Sequence, residues 1–290
     1  MKYVSPLRYP GGKARLAPFL GDLLKDQAKP LPRVFVEPFA GGAGAGLSLL
    51  QQGVVEHLVL NDANPGIAAF WISVLHHTDE FCELIRSTPA SLENWYRMKS
   101  ILDNPLGVDT LTLGFAAFFL NRTNHSGIIE KARPIGGLKQ DGKYKIDARY
   151  NVDALISRVR SVAALGSRIE VYQRDGVDFL RDYASVDNVQ EVFAFVDPPY
   201  VAKGHQLYGF AFTQADHERL ANALCSVPFR WVLTYDDSPV VRGLYPQAWC
   251  SGFGMPYSVS QSRRRGRELM VFSEGVVRGS RFGDDIEVVK

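Results

Sequence analysis

An acid, two prolines and a tyrosine stand together as Asp197-Pro198-Pro199-Tyr200, directly after the apolar run Val192 to Val196. Consecutive prolines have no amide hydrogens, so they end a strand ladder and hold the backbone extended. The Asp197 carboxylate, the Pro198 carbonyl and the Tyr200 ring are thereby set at the rim of a sheet. This arrangement suits chemistry on an amino nitrogen conjugated to a base, whose lone pair is delocalised into the ring. Acceptance of that nitrogen's two hydrogens, one by Asp197 and one by a backbone carbonyl, favours the pyramidal form that can attack a methyl group. The same acceptors stabilise the positive charge that develops on nitrogen. Tyr200 supplies a face on which an extruded base can stack. The bland reading is a strand-ending turn with a surface tyrosine.

A second constellation lies upstream. Glu37-Pro38-Phe39-Ala40-Gly41-Gly42-Ala43-Gly44 follows one apolar run and precedes a helix-like stretch. Glycines there allow close backbone approach to a ligand, at the strand end where open α/β sheets bind. Asp62, 21 residues after Gly41, closes the next run. A carboxylate in that place can accept from both hydroxyls of a ribose. A tight strand-to-helix turn remains the simpler alternative. A dinucleotide fold is also open, although the Gly-x-Gly-x-x-Gly/Ala spacing is unmet: Leu47 follows Gly42 and Gly44, and Leu49 follows Gly44 and Gly46. Near the amino terminus, Arg8-Tyr9-Pro10-Gly11-Gly12-Lys13 offers amides and an ammonium for a carboxylate or phosphate, without a Walker frame. By itself it reads as a turn.

These residues need a scaffold, and the chain supplies an alternating one. Strands are expected at Val34 to Val36, His57 to Leu60, Ile169 to Tyr172, Val192 to Val196, Arg230 to Thr234 and Leu269 to Phe272. Thr213 with Asp216 resembles a capping box opening a helix through Ala223. Strands spaced by helices imply an α/β fold with parallel units and a sheet covered on both faces. Between the second and third strands the rhythm breaks, with helical patterns to about Leu120 and a polar, basic stretch after it. Residues 131 to 149 hold six basic side chains (Lys131, Arg133, Lys139, Lys143, Lys145, Arg149) against Asp141 and Asp147. That local excess of +4 exceeds the +2 of the whole chain, so the positive charge is concentrated.

In their order, the motifs resemble the Dam-like, alpha-class DNA adenine-N6 methyltransferases. They run Tyr9-Pro10-Gly11-Gly12-Lys13, Glu37-Pro38-Phe39-x-Gly41, Leu60-Asn61-Asp62-x-Asn64, Leu120-Asn121-Arg122, Asp197-Pro198-Pro199-Tyr200, Phe212-Thr213 with His217 and Leu220, and Tyr235-Asp236-Asp237-Ser238-Pro239. The resemblance covers most of the chain. It implies a Rossmann-like S-adenosylmethionine-dependent methyltransferase fold, with a mixed seven-stranded sheet, helices on both faces and a mainly helical target-recognition insertion. Residues 1–67 and 161–290 would then form the catalytic domain, and 68–160 the insertion. It further implies that Tyr9 and Lys13 contact the methionine part of S-adenosylmethionine, Phe39 and Gly41 line its pocket, and Asp62 holds the ribose. Asp175 would accept from the cofactor's adenine amino group. Asp197 would serve the target amine beside Pro198 and Tyr200, at the edge of the cofactor pocket. The expected substrate is adenine in a specific sequence of double-stranded DNA, as in restriction-modification systems, and the enzyme a cytoplasmic monomer of bacterial or phage origin.

Two features depart from that pattern. Ala43 stands where the family often has glycine, and the stretch from Asn124 differs from GATC-specific members. The target sequence is therefore not implied. Candidates for nucleic-acid contact are Lys139, Lys143 and Lys145, whose charges could neutralise phosphates, and the run Arg263-Arg264-Arg265 before the last strand, which could equally be a solvated loop. Asn121 and Arg122 are read either as nucleic-acid contacts or as caps of the preceding helix.

Other classes fit less well. Cytosine-N4 methylation would use the same tetrapeptide chemistry, but its enzymes more often resemble families with serine at position 197. Cytosine-C5 methylation needs a nucleophilic cysteine, typically after proline; Cys82, Cys225 and Cys250 follow Phe81, Leu224 and Trp249. Protein glutamine methylases resemble families with asparagine there, and RNA is a less favoured substrate. A non-catalytic nucleic-acid-binding relic would have no need of Asp62, Asp197 and Tyr200. A nicotinamide dehydrogenase is disfavoured by the glycine spacing. Three scattered cysteines give neither a disulfide framework nor a metal site. No run approaches the ~20 apolar residues of a membrane span, and Met1 to Pro10 has no signal-peptide core.

Overall fold

Short runs of large apolar residues at Val34–Glu37 (β1), His57–Asn61 (β2), Ile169–Tyr172 (β3), Val192–Val196 (β4) and Arg230–Asp236 (β5) form the parallel half of one sheet. The computed structural model describes residues 4–8, 13–130, 132–201, 212–246, 248–256, 265–278 and 285–286. All five residues of β4 are buried, as expected of a central strand covered on both faces. Side chains alternate between two cores. Phe35, Leu58, Leu60, Phe193 and Phe195 face one, and Val36, Val59, Ala194 and Val196 face the other.

The strand order is β3-β2-β1-β4-β5-β7-β6-β8. β7 (Arg265–Phe272) is antiparallel to both β5 and β6 (Trp249–Pro256). These make the seven strands expected, and a two-residue β8, Asp285–Ile286, is added parallel to β6. β6 was not anticipated: Cys250, Ser251, Gly252 and Gly254 dilute its apolar pattern, and its pairing with β7 defines it. β7 begins four residues before the expected Leu269.

On the first face lie α1 (Ala17–Lys25), α2 (Gly44–Gln51) and the helices inserted between β2 and β3. The latter are α3 (Pro65–His76), α4 (Thr78–Ser87), α5 (Leu92–Asp103), α6 (Thr110–Thr123) and α7 (Val152–Ala163). Asn64 caps α3 by accepting from the Gly66 and Ile67 amides, with Pro65 at the first helical position. Phe70, Phe81, Phe118 and Trp95 of these helices share one continuous core with Phe35 and Leu58 of the sheet. α6 is buried along all of Gly114 to Thr123, so its last turn places polar side chains inside the protein. On the second face lie α8 (Gly176–Tyr183), α9 (Gln214–Ser226) and α10 (Pro239–Leu244). The capping box at Thr213 and Asp216 is present in both directions, and α9 runs to Ser226 rather than Ala223.

Candidate active site

The carboxyl ends of β1 to β5 share one edge of the sheet, where an open parallel sheet offers its ligand crevice. At the end of β1 the chain turns through Gly41 and Ala43, both left-handed with φ near +45°. Ala43 tolerates that conformation despite its Cβ and leads directly into α2. Gly44 and Gly46 have a different reason for being glycine. A Cβ at Gly46 would lie 2.5 Å from Leu58 Cδ1 and 2.7 Å from Glu37 Oε1, and one at Gly44 would lie 2.9 Å from Ala14 Cβ. These two glycines let α2 pack on the chain itself.

Asp62, at the end of β2, holds this turn. Its Oδ2 accepts from the Gly41 amide at 2.8 Å and its Oδ1 from the Asn64 amide at 2.9 Å. Burial nevertheless pushes its carboxyl up to about 6, against the opposing pull of those amides. Buried Asn61 ties the neighbouring loops together, donating to the Pro38 and Arg174 carbonyls and accepting from the Arg174 amide. Phe39 meets Phe212 edge-on at 5.6 Å. Asp175 follows β3 and caps α8 through the Val177 and Asp178 amides, while its carboxylate pairs with Arg219.

Asp197 follows β4, its side chain 24% exposed and so reachable from outside. The Thr234 hydroxyl of β5 donates to its Oδ1 at 2.6 Å. The buried Lys13 ammonium lies 3.0 Å from Oδ1 and donates to Oδ2 at 3.1 Å. The ammonium assigned by resemblance to the methionine part of the cofactor is thus directed at the acid of the tetrapeptide. Tyr9 lies outside the described residues.

Tyr200 is oriented on several sides. Its hydroxyl donates to Glu268 Oε2 at 2.7 Å, Lys13 Nζ lies 5.0 Å from its ring centroid, and the Tyr235 ring is 6.0 Å away. Burial, together with the charges of Asp197 and Glu268, raises its phenol well above the usual value and keeps it a donor. Tyr235 is in turn 2.6 Å from His217 Nδ1. The Val201 amide donates to Asp236 Oδ1 at 3.0 Å, which fixes the exit from the tetrapeptide.

Glu37 and Glu268 complete the electrostatics. Glu37 accepts from the Gly46 amide at 2.6 Å. Burial first, then the charge of Asp197, pushes its carboxyl up to about 8, so it is mostly protonated at neutral pH. Glu268 is buried on β7 opposite Asp236, 3.7 Å from Lys13 Nζ. Asp197 and Glu268 therefore share one lysine. The signal for Glu268 was present in the sequence as a charge opening the apolar run Leu269 to Phe272.

Asn121 and Arg122 are a correction to the reading as nucleic-acid contacts. Asn121 is fully buried; it accepts from the Arg8 amide and donates to the Arg8 and Gly127 carbonyls. Arg122 donates to the Arg149 carbonyl from Nε and Nη2, and to the Pro6 carbonyl from Nη1. Burial lowers its guanidinium to about 9. Both side chains pin the amino-terminal segment and the basic loop to α6 instead of facing solvent.

Lys139, Lys143 and Lys145 are exposed on that loop. Gln140 braces it, donating to the Ile135 and Gly137 carbonyls and accepting from the Ile146 amide. Arg265 lies in β7, paired with Pro256, while Arg263 and Arg264 lie outside the described residues. Among the described residues no helix is long and apolar enough to cross a membrane, and no His, Cys, Asp and Glu side chains gather as a metal site.

The sheet order, with an acid-proline-proline-tyrosine turn beside a glycine turn and an acid that holds it, is the arrangement that the resemblance implies for a methyltransferase acting on amino groups. The chain belongs to the D12 class N6 adenine-specific DNA methyltransferase family, whose model matches residues 9–254. The methyl donor is S-adenosylmethionine and the substrate DNA. No curated protein matches the sequence. Among solved structures, the chain is similar to the rRNA methyltransferase aviRa from Streptomyces viridochromogenes. One structure at 2.4 Å gives 13% identity over 92% of this chain and 87% of that one, with a TM-score of 0.40. A second at 1.5 Å gives 14% identity over 93% and 88%, also with a TM-score of 0.40.

Proposed function

We propose that this enzyme methylates N6 of an adenine rotated out of double-stranded DNA, with Asp197, Pro198 and Tyr200 forming the base site. The observation that carries the reading is Asp197 itself: a partly open carboxylate, fixed by Thr234 and Lys13, one strand from the Gly41 turn. The Asp197 carboxylate and the Pro198 carbonyl accept the two amino hydrogens and hold the nitrogen lone pair out of conjugation. The Tyr200 ring stacks on the base, and Asp197 faces the charge that develops on nitrogen.

S-adenosylmethionine, when bound, supplies an electrophilic methyl group on sulfur. The residues around the Gly41 turn fit it. Asp62 is half-buried and has a raised pKa with two amide donors already in place, so its charge is under-compensated and would gain from two hydroxyl donors. Phe39 and Gly41 would line the pocket, and Asp175 would take the adenine amino group with the part of its carboxylate not engaged in capping. Tyr9 and Lys13 would close the methionine end.

Residues 68–160 would serve as the target-recognition insertion on a catalytic domain of 1–67 and 161–290. Lys139, Lys143 and Lys145 would contact phosphates, with Arg263, Arg264 and Arg265 as a second clamp. The enzyme would act as a monomer in the cytoplasm. The test is incubation of purified protein with duplex DNA and methyl-labelled S-adenosylmethionine, followed by digestion to nucleosides. Label is expected in N6-methyladenine; label in N4-methylcytosine, or none in DNA, overturns the reading.

A further inference from the structure

Lys13 poses a problem for the site as described. Its ammonium lies within about 3 Å of both Asp197 oxygens, the atoms that must accept from the target amine. An ammonium held there competes with the base for the same lone pairs. Glu268 lies 3.7 Å from the same ammonium and already accepts from the Tyr200 hydroxyl. Its position on β7 is set by the antiparallel pairing with β5: Glu268 stands opposite Asp236, Leu269 opposite Tyr235 and Met270 opposite Thr234. β5 thus supplies the hydroxyl that holds Asp197, and β7 the carboxylate that holds Tyr200. A buried carboxylate has little reason to stand beside another unless a shared cation offsets the repulsion.

We propose that Glu268 is a positioning residue that takes Lys13 over from Asp197 when the base amine arrives, so that Asp197 is freed as an acceptor while the ammonium keeps a carboxylate beside it. This rests on the reading of Asp197 as the acceptor of the target amine. The distance to be covered is small: a rotation at the end of one flexible side chain exchanges a 3.0 Å contact for one that is now 3.7 Å. The hydroxyl of Tyr200 stays on Glu268 throughout, since the phenol remains protonated and needs an acceptor. Glu268 consequently acts through Lys13 and touches neither substrate nor cofactor.

The test is a double-mutant cycle on single-turnover methyl transfer. Glu268→Gln keeps an oxygen for the Tyr200 hydroxyl and removes only the charge. It should slow single-turnover transfer by about tenfold, the scale of one charge-assisted hydrogen bond, while affinities for S-adenosylmethionine and DNA stay within about twofold. In a Lys13→Met background, Glu268→Gln should cause no further loss, and Glu268→Asp should recover part of the rate in the wild-type background. Tyr200→Phe serves as the control for the hydroxyl: if Glu268 worked only through that bond, Tyr200→Phe would abolish the effect of Glu268→Gln. The inference is overturned by that outcome, by an unchanged rate in Glu268→Gln, by an equal loss in the Lys13→Met background, or by a loss confined to ligand binding. Should Glu268→Gln unfold, the comparison of Glu268→Asp with wild type in both Lys13 backgrounds decides the same question. A wild-type enzyme that transfers nothing to DNA would instead remove the functional reading, which separates the two failures.

Discussion

Lys13 and Asp197, 184 residues apart, meet through two contacts of 3.0 and 3.1 Å. One lies on the turn Lys13–Leu16 that leads into α1, the other at the end of the central strand β4. The amino-terminal segment is therefore held against the end of β4 by an ion pair with low exposure on the lysine side. Removing Lys13 would leave the Asp197 and Glu268 carboxylates without the cation they share, which costs more than the pair itself contributes.

Asp197→Asn should lower methyl transfer by at least about a thousandfold, because asparagine presents one acceptor oxygen and no charge to the developing cation. DNA retention in a gel-shift assay should be unchanged. Transfer within tenfold of wild type would remove the carboxylate from the mechanism.

If Asp62 holds the ribose as proposed, cofactor affinity should depend on pH. Its carboxylate form is the acceptor, and it is lost as pH falls through about 6. Calorimetric affinity for S-adenosylmethionine should therefore weaken between pH 7 and 5 in the wild type. In Asp62→Asn it should be lower by about ten- to a hundredfold at pH 7.5 and flat across that range. A wild-type affinity independent of pH would sever Asp62 from the cofactor.

Glu37 has a raised carboxyl, about 8 in the folded chain against 4.5 for the ordinary group. Between these values the folded state binds more protons than the unfolded one, so stability falls as pH rises through this window and is flat above it. Glu37→Gln keeps an oxygen for the Gly46 amide and removes the titration. It should raise the melting temperature by several degrees at pH 9 and leave it unchanged below about pH 4.5. Equal melting temperatures at pH 9 would show that Glu37 ionises without cost.

If the exposed lysines of the basic loop contact phosphates as proposed, they should set the salt dependence of DNA binding. Changing Lys139, Lys143 and Lys145 together to glutamine should reduce the slope of log affinity against log salt by about 2 to 3, close to one for each phosphate no longer neutralised. Filter binding across 50 to 200 mM salt, on the order of the range where such slopes are read, measures it. An unchanged slope returns the cluster to an ordinary solvated surface.

Asn121 tests the corrected assignment from the opposite side. Asn121→Ala leaves the Arg8 amide and carbonyl and the Gly127 carbonyl without their partner. Stability should fall by about 2 to 4 kcal/mol in denaturant titration, with the salt slope of DNA binding unaltered. A slope change with full stability would restore Asn121 to the nucleic acid.

Much of this architecture could be read from residue patterns because it depends on local signals. Phe35, Val36, Leu58 and Val59 alternate between two cores as the strand period requires, and Thr213 with Asp216 begins α9 as its chemistry dictates. β6 was hidden because Ser251 and Gly252 carry no strand signature and only the neighbouring β7 defines them. The same distinction holds at the site. Asp197, Tyr200 and Asp62 stand at strand ends that the sequence marks. The destination of Lys13, its approach to Glu268 and the burial of Asn121 and Arg122 depend on which distant segments close together, and no local spacing encodes that.

The clamp at the end of α6 bears on how members of such a family could diversify. Asn121 and Arg122 grip residues 6 to 8 on one side and residues 127 and 149 on the other. A loop borrowed from a relative would thus meet a foreign partner in the first strip of chain, a few residues from the lysine that faces Asp197. If residues 124–149 belong to the target-recognition insertion as proposed, exchanges of that loop should succeed when residues 4–8 travel with it, and fail when it moves alone.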